Sequence, residues 1–331
     1  MPEIIRTIQY GLGPIGSAVG RHVVARPGVS LVGGVDIDPG KVGKDLGEAI
    51  NLGRRLGTSV SENLAQVLEQ TEAEVVLHTT SSYFHLFRSQ LVEILEQGLD
   101  VVSTAEELSF PWLAHPEEAA EIDALAKQVG STVLGTGVNP GFIMDTLPLH
   151  LTSICQQVDH IDVTRIINAS TRRGPFQAKI GCGMTVDEFE ARIATGKMGH
   201  VGLQESIGMV FHTLGRDLVG FESDVGPVVA EDSVESDTIR VEPGQVMGLR
   251  QVAHGYAEEG EFLRLTFVAA LGAEHEGDTI RITGSPNLEM HLRGTNGDIA
   301  TVAMVVNAIP RVRATAPGLV TMADLPIVTT W

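Results

Sequence analysis

The sequence predicts an α/β protein: a doubly wound parallel sheet first, then an α+β region on a largely antiparallel sheet. Up to about residue 140, short apolar runs alternate with amphipathic stretches, the rhythm of consecutive β–α–β units. Beyond about residue 150, strand-like segments follow one another, with turn signals between the later ones. The length of 331 residues also exceeds that of a usual single domain, so two are expected. Residues 1–145 form the first, completed by a late helix and tail at 298–331, and residues 146–297 form the second.

Each element has its own reason. "IIRTIQYG" reads as a strand, Ile15 to Ala25 as a helix and "SLVGGVDI" as a second strand. "SENLAQVLEQ" is a short helix with Ser61 as its expected cap, "AEVVLHTT" a buried strand, and "YFHLFRSQLVEILEQG" a helix ending at Gly98. "DVVST" and "STVLGTG" are further strands, separated by a helix from Pro116 to Gln128. In the second region "HIDVTRIINAS", "DTIRVEPGQVMGLRQVAHGYA", "EFLRLTFVAAL" and "DTIRITG" are strand-like, with helices "TVDEFEARIA" and "HVGLQESIGMVFHTLGR" between the first strand and the others. "DIATVAMVVNAIPRV" is a late helix expected to end near Pro310 and to pack back on the first domain.

Composition narrows the function. With 43% hydrophobic and 20% charged residues the chain is globular, and its 37 glycines imply many tight turns. A net charge of −19 argues against nucleic acid or an anionic membrane as partner. Cys155 and Cys182 are too few for a disulfide framework or a thiolate metal cluster, and no H-x-x-x-H or Cys/His cluster suggests a metal. Reduced thiols in a cytoplasmic protein are the expectation. "MPEIIRTIQYG" lacks the pattern of a signal peptide, and no run of about 18 apolar residues is available to span a membrane.

Gly11, Gly13 and Gly16 fit G-x-G-x-x-G between a strand and a helix, in the segment Gly11, Leu12, Gly13, Pro14, Ile15, Gly16. The first glycine permits the turn, the second lets a pyrophosphate approach the backbone, and the third lets helix and strand pack closely. Asp36 lies 20 residues past Gly16 at the end of the second strand, where a carboxylate binds both hydroxyls of a ribose. Alone, glycines also serve turns; in this order they predict dinucleotide binding, NAD or NADP. Asp36 favours NAD by repelling a 2′-phosphate, whereas nearby Lys41 and Lys44, read as solvated surface residues, leave the choice open. Thr79, Thr80 and Ser81 follow a buried strand at the ligand edge of the sheet, facing the nicotinamide or its ribose or else capping the next helix. Asn139, before Pro140 and Gly141, is a further cofactor or substrate contact, or a turn residue.

Glu106 and Glu107 follow the strand "DVVST" at the same edge. Acids are favoured at a helix start by its dipole, which explains one of the two. Adjacent side chains diverge, so one carboxylate can enter the cleft while the other faces elsewhere. A G-x-S-x-G hydrolase motif is absent from "GTGVN" and "GCGMT".

The segments "GLGPIG", "DIDPGKVGKDLGE", "STAEELSFPW", "GTGVNPGFIMDTLP", "STRRGPFQAKIGCGMT" and "GDIATVAMVVNAIPRVRATAPGLVTMADLP" resemble the 2,4-diaminopentanoate dehydrogenases and the native amine dehydrogenases. That group has a dihydrodipicolinate-reductase-like Rossmann domain. The resemblance spans nearly the whole chain, and "STAEELSFPW" and "PGLVTMADLP" are more specific than the glycines. It implies NAD(P)-linked deamination of an amine and the reverse, reductive amination of a ketone or aldehyde by ammonia. It also implies a homodimer, with the second domain binding substrate and dimerising. A glutamate of "STAEEL" is the implied acid/base, mapped onto Glu106 with Glu107 as the other candidate.

Such a carboxylate, partly desolvated, has a raised pKa, deprotonates the substrate ammonium and returns the proton in the aminating direction. Pocket candidates are Phe142, Arg165, Ile166, Asn168, Phe176 and Thr301, with Met184 and Met209, although core packing explains an apolar residue equally well. Arg165, Arg172, Arg173 and Lys179 are the cations available to a diamino-acid carboxylate; a neutral amine needs none of them. His200 and His254 are polar pocket candidates or structural histidines. The runner-up is a diamino-acid dehydrogenase of the same group. A redox-sensing binding protein would keep the glycines without an acid/base, and a cyclic-imine reductase would need a basic proton donor and an anion cluster.

Overall fold

The computed structural model describes residues 4–196 and 198–331. In chain order, the first elements are β1 (Ile5–Tyr10), α1 (Pro14–Val24), β2 (Val29–Val35), α2 (Leu46–Ala49), β3 (Val60–Ser61), α3 (Leu64–Leu68), β4 (Val75–His78), α4 (Phe84–Glu96), β5 (Asp100–Ser103), α5 (Pro116–Val129) and β6 (Thr132–Gly135). Then come α6 (Thr146–Thr152), β7 (Gln157–Asn168), α7 (Gly174–Lys179), α8 (Val186–Ala194), α9 (Leu203–Thr213), β8 (Gly220–Val229), β9 (Val234–Glu235), β10 (Arg240–Val241), β11 (Val246–Ala257), β12 (Gly260–Ala270), β13 (Gly277–Ser285) and β14 (Leu288–Leu292). The chain closes with α10 (Gly297–Ala314) and β15 (Gly318–Val320).

Two compact units result: residues up to Phe142 together with Asn296–Trp331, and Ile143–Thr295. The first holds a seven-stranded sheet in the order β15-β6-β5-β4-β1-β2-β3, every neighbouring pair parallel. Its central strands β4, β5 and β6 are buried at every position, as expected of strands covered on both faces. Ile8, Val76, Val101 and Val133 from neighbouring strands share one core with Phe87 and Leu91 of α4 and Ile122 of α5.

The second unit holds a six-stranded sheet, β14-β13-β7-β12-β11-β8, antiparallel except where β7 runs parallel to β12. On the face bearing Gly255, α9 packs so closely that a methyl there would come within 2.6 Å of Phe211 and 2.8 Å of Ile207.

Several expectations need correction. Ser61 is not a helix cap: it lies in β3, and Asn63 caps α3 by accepting from the Gln66 amide at 3.0 Å. The late helix does not stop near Pro310 but runs through it to Ala314. A proline there forfeits one helical hydrogen bond, yet Val302, Val305, Val306, Ala308, Ile309 and Val312 are all buried, and that packing outweighs the loss. Among the strands not anticipated, which include the short β3, β9 and β15, the two longest are β8 ("GFESDVGPVV") and β14 ("LEMHL"). Both are sheet edges, where Pro227 and exposed acidic residues are tolerated because one side of the backbone needs no partner.

Candidate active site at the carboxyl edge of the parallel sheet

The glycine turn leaves β1 with Gly11 at φ +88°, a conformation L side chains rarely adopt. A Cβ on Gly11 would lie 2.7 Å from the Thr79 carbonyl oxygen, and one on Gly16 only 1.9 Å from the Gly11 oxygen. Gly13 differs. It caps α1 in extended conformation without a side-chain hydrogen bond, and a Cβ there would meet nothing within 4 Å. Two glycines are therefore filled in by protein, and the middle one opens on space in front of the helix N-terminus, where unpaired amides and the positive dipole end favour an anion. Pro14 occupies the first helical turn, where its missing N–H costs nothing. Ile15 follows half-buried, and Leu12 points inward with Leu46, Ile50 and Val60.

Asp36 is fixed beside this turn. Its Oδ2 accepts from the Leu12 amide at 2.7 Å and the Lys41 ammonium at 3.1 Å, and its Oδ1 accepts from the Asp38 amide at 2.8 Å. Partial burial alone would raise its pKa, but the hydrogen bonds from Asp38, Leu12 and Lys41 outweigh that and hold it below the usual carboxylate range. Lys41 is not a solvated surface lysine: it pairs with Asp36 and, at 3.5 Å, with Asp38, while Lys44 is exposed. An open glycine cradle, a bare helix N-terminus and an ionised acid at the end of the second strand fit a dinucleotide.

At the end of β4 the hydroxyls face the protein. Thr79 Oγ1 donates to the Gly11 carbonyl at 2.8 Å and so braces the turn. Thr80 Oγ1 bonds Gln90 Oε1 at 2.6 Å, and Ser81 Oγ accepts from the Tyr83 amide at 3.2 Å. Asn139 is buried beyond β6, in a loop where Gly141 has φ +120° and a Cβ would come within 2.5 Å of the Gly137 nitrogen.

The two glutamates separate clearly. Both lie in a 3-10 turn, Glu106–Leu108, directly after β5. Glu107 Oε2 accepts the Phe84 amide at the start of α4, a helix with no cap of its own, and sits 3.2 Å from His115 Nε2. The His115 ring in turn stacks on Phe84 at 4.9 Å. Glu107 is thus a structural clamp. Glu106 is half-buried, and its backbone carbonyl accepts from the Ser109 amide at 3.1 Å and hydroxyl at 2.8 Å. A Cβ on Gly135 would collide with this turn at 2.4 Å, so glycine there lets it sit against β6.

Beneath the turn lies a polar group that sequence reasoning did not single out. His78, fully buried, has Nδ1 2.8 Å from Ser103 Oγ and Nε2 2.8 Å from both Gln90 Oε1 and Thr80 Oγ1. Burial pushes its pKa down to about 4, only partly opposed by Gln90. An unfolded histidine takes up a proton below about 6.5, so between that value and about 4 the unfolded chain binds the extra proton. Stability contributed by neutral His78 is therefore complete above pH 6.5 and falls as pH drops, by roughly 2 kcal/mol at pH 5. His78→Gln, which cannot titrate, should lack this component when urea midpoints at pH 7.5 and 5 are compared. Identical pH dependence in both proteins would refute the assignment.

In the second unit Arg165 and Asp278 form a buried ion pair at 2.9 Å, each side chain 2% exposed. Ile166 is half-buried on β7, and Asn168 Oδ1 caps the following turn at the Ser170 amide, 3.0 Å away. Phe176 lies under the Arg172 guanidinium at 4.5 Å. Arg173 caps α7 and Lys179 ends it. Met184 is half-buried, Met209 fully buried, and His200 stacks on Phe267 at 4.6 Å. Phe142 and Thr301 belong to the first unit, where Thr301 Oγ1 accepts from the Val138 amide at 3.3 Å. Cys155 and Cys182 are unbridged. Among the described residues no group of three or more His, Cys, Asp or Glu side chains could hold a metal, and no helix is long and apolar enough to cross a membrane.

Residues 142–331 match the 2,4-diaminopentanoate dehydrogenase C-terminal domain family. Over its full length the chain is similar to a 2,4-diaminopentanoate dehydrogenase of Acetoanaerobium sticklandii, 32% identical with 98% of this chain and 94% of the relative covered. It is also similar to an amine dehydrogenase of Streptomyces virginiae, 24% identical over 98% of this chain and 97% of the other. Among solved structures, the amine dehydrogenase from Mycobacterium smegmatis superposes with a TM-score of 0.86 at 29% identity, covering 99% and 97% of the two chains. The chain belongs to the family of 2,4-diaminopentanoate dehydrogenases and amine dehydrogenases, NAD(P)-dependent oxidoreductases acting on CH–NH2 groups.

Proposed function

We propose that the chain interconverts a neutral amine and its ketone or aldehyde, releasing or consuming ammonia, with Glu106 handling the protons. The observation that carries this is the division between the glutamates at the sheet edge that also bears the glycine turn. Glu107 is committed to Phe84 and His115, whereas Glu106, half-buried in the same turn, is the residue onto which the family resemblance maps the acid/base.

A bound nicotinamide supplies the hydride acceptor or donor. The α1 amides around Gly13 would hold its pyrophosphate and Asp36 its ribose, with Asn139 and the backbone of Thr79, Thr80 and Ser81, whose hydroxyls are turned to the protein, toward the nicotinamide end. Glu106 takes a proton from the substrate ammonium, whose solution pKa is about 10 by analogy with lysine, because only a free amine can release electrons toward carbon. Once that proton has passed to solvent, the same carboxylate activates the water that hydrolyses the imine. In the aminating direction, protonated, it delivers a proton to the carbinolamine hydroxyl. Ammonium should therefore be required: NAD(P)H oxidation with a panel of small ketones and aldehydes should fall to background without it. Equal rates with and without ammonium would mean an ordinary carbonyl reductase.

Support for a neutral substrate comes from Arg165, the buried one of the four candidate cations, because Asp278 already balances its charge; Arg172, Arg173 and Lys179 are half-buried or exposed. A second reading, 2,4-diaminopentanoate as substrate, draws support from the 32% identical relative of that name. Oxidation of 2,4-diaminopentanoate measured beside neutral amines of similar size decides between them.

Cofactor choice is set by the Asp36–Lys41 pair, which presents a carboxylate and a cation to the ribose. Lys41→Ala should weaken NADPH binding relative to NADH by up to about fivefold, the worth of one part-exposed ion pair (about 0.2–1 kcal/mol). An unchanged ratio by fluorescence titration would exclude Lys41.

The proposed homodimer would form on the second unit's sheet, on the face opposite Gly255. That face carries cross-strand polar pairs, including His160 and His254 on Glu261 and Tyr256 on Glu222. Light scattering tests it.

A further inference from the structure

We infer that His78 and Ser103 form a positioning relay that sets the backbone in front of Glu106, and so the place of its carboxylate. The inference rests on Glu106 being the proton-handling group.

The relay begins in sheet register. His78 and Ser103 are the last residues of adjacent strands and face each other directly across the β4–β5 ladder. Ser103 Oγ accepts the Ala105 amide at 3.1 Å and lies 2.8 Å from His78 Nδ1. On the other side of the ring, Nε2 meets Gln90 Oε1 and Thr80 Oγ1, each at 2.8 Å.

The proton positions follow from donor counting. The Thr80 hydroxyl donates to Gln90 Oε1, a carbonyl oxygen that can only accept, so Nε2 must carry the ring proton. Nδ1 is then bare and accepts the Ser103 hydroxyl proton, which leaves the Ser103 oxygen to accept from Ala105. The Nε2 proton is shared between Gln90 Oε1 and Thr80 Oγ1, and from the ring onward the chain runs one way. Tyr10 and Phe87 flank the ring at 5.9 and 5.8 Å, so it has little room to turn.

The consequence lies one residue further on. Ala105 directly precedes Glu106 and is 2% exposed. Its amide is held by the relay, while its carbonyl accepts from the Leu108 amide at 3.1 Å. The Glu106 carbonyl is gripped by Ser109 as described above. The backbone of Glu106 is therefore fixed on both sides, on the residue before by Ser103 and through its own carbonyl by Ser109. An apolar pair at 78 and 103 would fill this core at lower desolvation cost. A histidine and a serine do what Val and Ala cannot: they extend hydrogen-bonded order past the last rung of the sheet to the residue that bears the carboxylate.

The test compares Ser103→Ala with Ser103→Thr, alone and on a Glu106→Gln background. Ser103→Ala leaves the Ala105 amide unheld. Its kcat should fall roughly 10–10²-fold, the cost of a misplaced reacting group, with the NAD(P)H dissociation constant within about twofold of the parent. The limb of the kcat–pH profile due to Glu106 should also shift. Ser103→Thr keeps the hydroxyl and should restore most of the rate. On the Glu106→Gln background Ser103→Ala should cost almost nothing further, because the group it positions has lost its proton. A full additional loss there would make Ser103 merely structural and overturn the inference. So would parental kcat in folded Ser103→Ala while Glu106→Gln is impaired. An active Glu106→Gln enzyme would instead remove the reading on which the relay depends. Should Ser103→Ala not fold, Ser103→Cys, a weaker hydrogen-bonding group of similar shape, must show the same pattern.

Discussion

Glu106→Gln is expected to lower turnover by roughly 10²–10⁴-fold, the usual contribution of a positioned acid/base, with NAD(P)H binding as tightly as to the parent. The substitution keeps the shape of the side chain and some of its hydrogen bonding but cannot exchange a proton. Glu107→Gln should fail differently. It weakens the clamp on the Phe84 amide and the pairing with His115, which resembles losing a helix cap and costs about 0.5–2 kcal/mol of stability. Its kcat at a temperature where it stays folded should lie within a few-fold of the parent. Thermal melts and steady-state rates on both variants separate the two roles. A stable, inactive Glu107→Gln beside a fully active Glu106→Gln would exchange them, and normal turnover in both would end the carboxylate mechanism.

The glutamates also mark how far the sequence reached. Their position past an apolar strand followed from the alternation of strand and helix, and that alternation is written locally in apolar spacing. What separates their surroundings was not local. It depends on Phe84, 23 residues before Glu107, whose amide needs an acceptor because α4 begins without a cap. His78 and Ser103 are a second case, 25 residues apart in sequence and neighbours only through parallel pairing. The one local hint was a polar residue closing an apolar run, "VVLH" and "DVVS", in strands too buried to tolerate an unpaired group. Pro310 misled for the opposite reason. Proline rules describe an isolated element, whereas tertiary packing carries α10 through it. The glycine motif was legible because spacing alone encodes its geometry, but the different jobs of its three glycines emerge only from what surrounds each.

That difference yields the second large effect. Gly13→Val should leave the fold nearly untouched, since a Cβ at Gly13 meets nothing within 4 Å. It should place methyl groups where the pyrophosphate approaches the α1 amides. Forcing extra methyls into filled space costs about 1–3 kcal/mol, so NAD(P)H should bind roughly 5–150-fold more weakly. Gly16→Ala inverts the pattern. Its Cβ would sit 1.9 Å from the Gly11 carbonyl oxygen and 2.4 Å from Thr79 Oγ1, so strand and helix must separate and the melting temperature falls with or without cofactor. Melting curves of both variants, recorded apo and with saturating NADH or NADPH, tell them apart. Gly13→Val should melt like the parent when apo and lose the rise on adding cofactor, whereas Gly16→Ala should already melt lower when apo. A Gly13→Val protein that binds either dinucleotide as tightly as the parent by calorimetry would move the phosphate site away from this turn, and a parental apo melting temperature for Gly16→Ala would contradict the close strand–helix crossing.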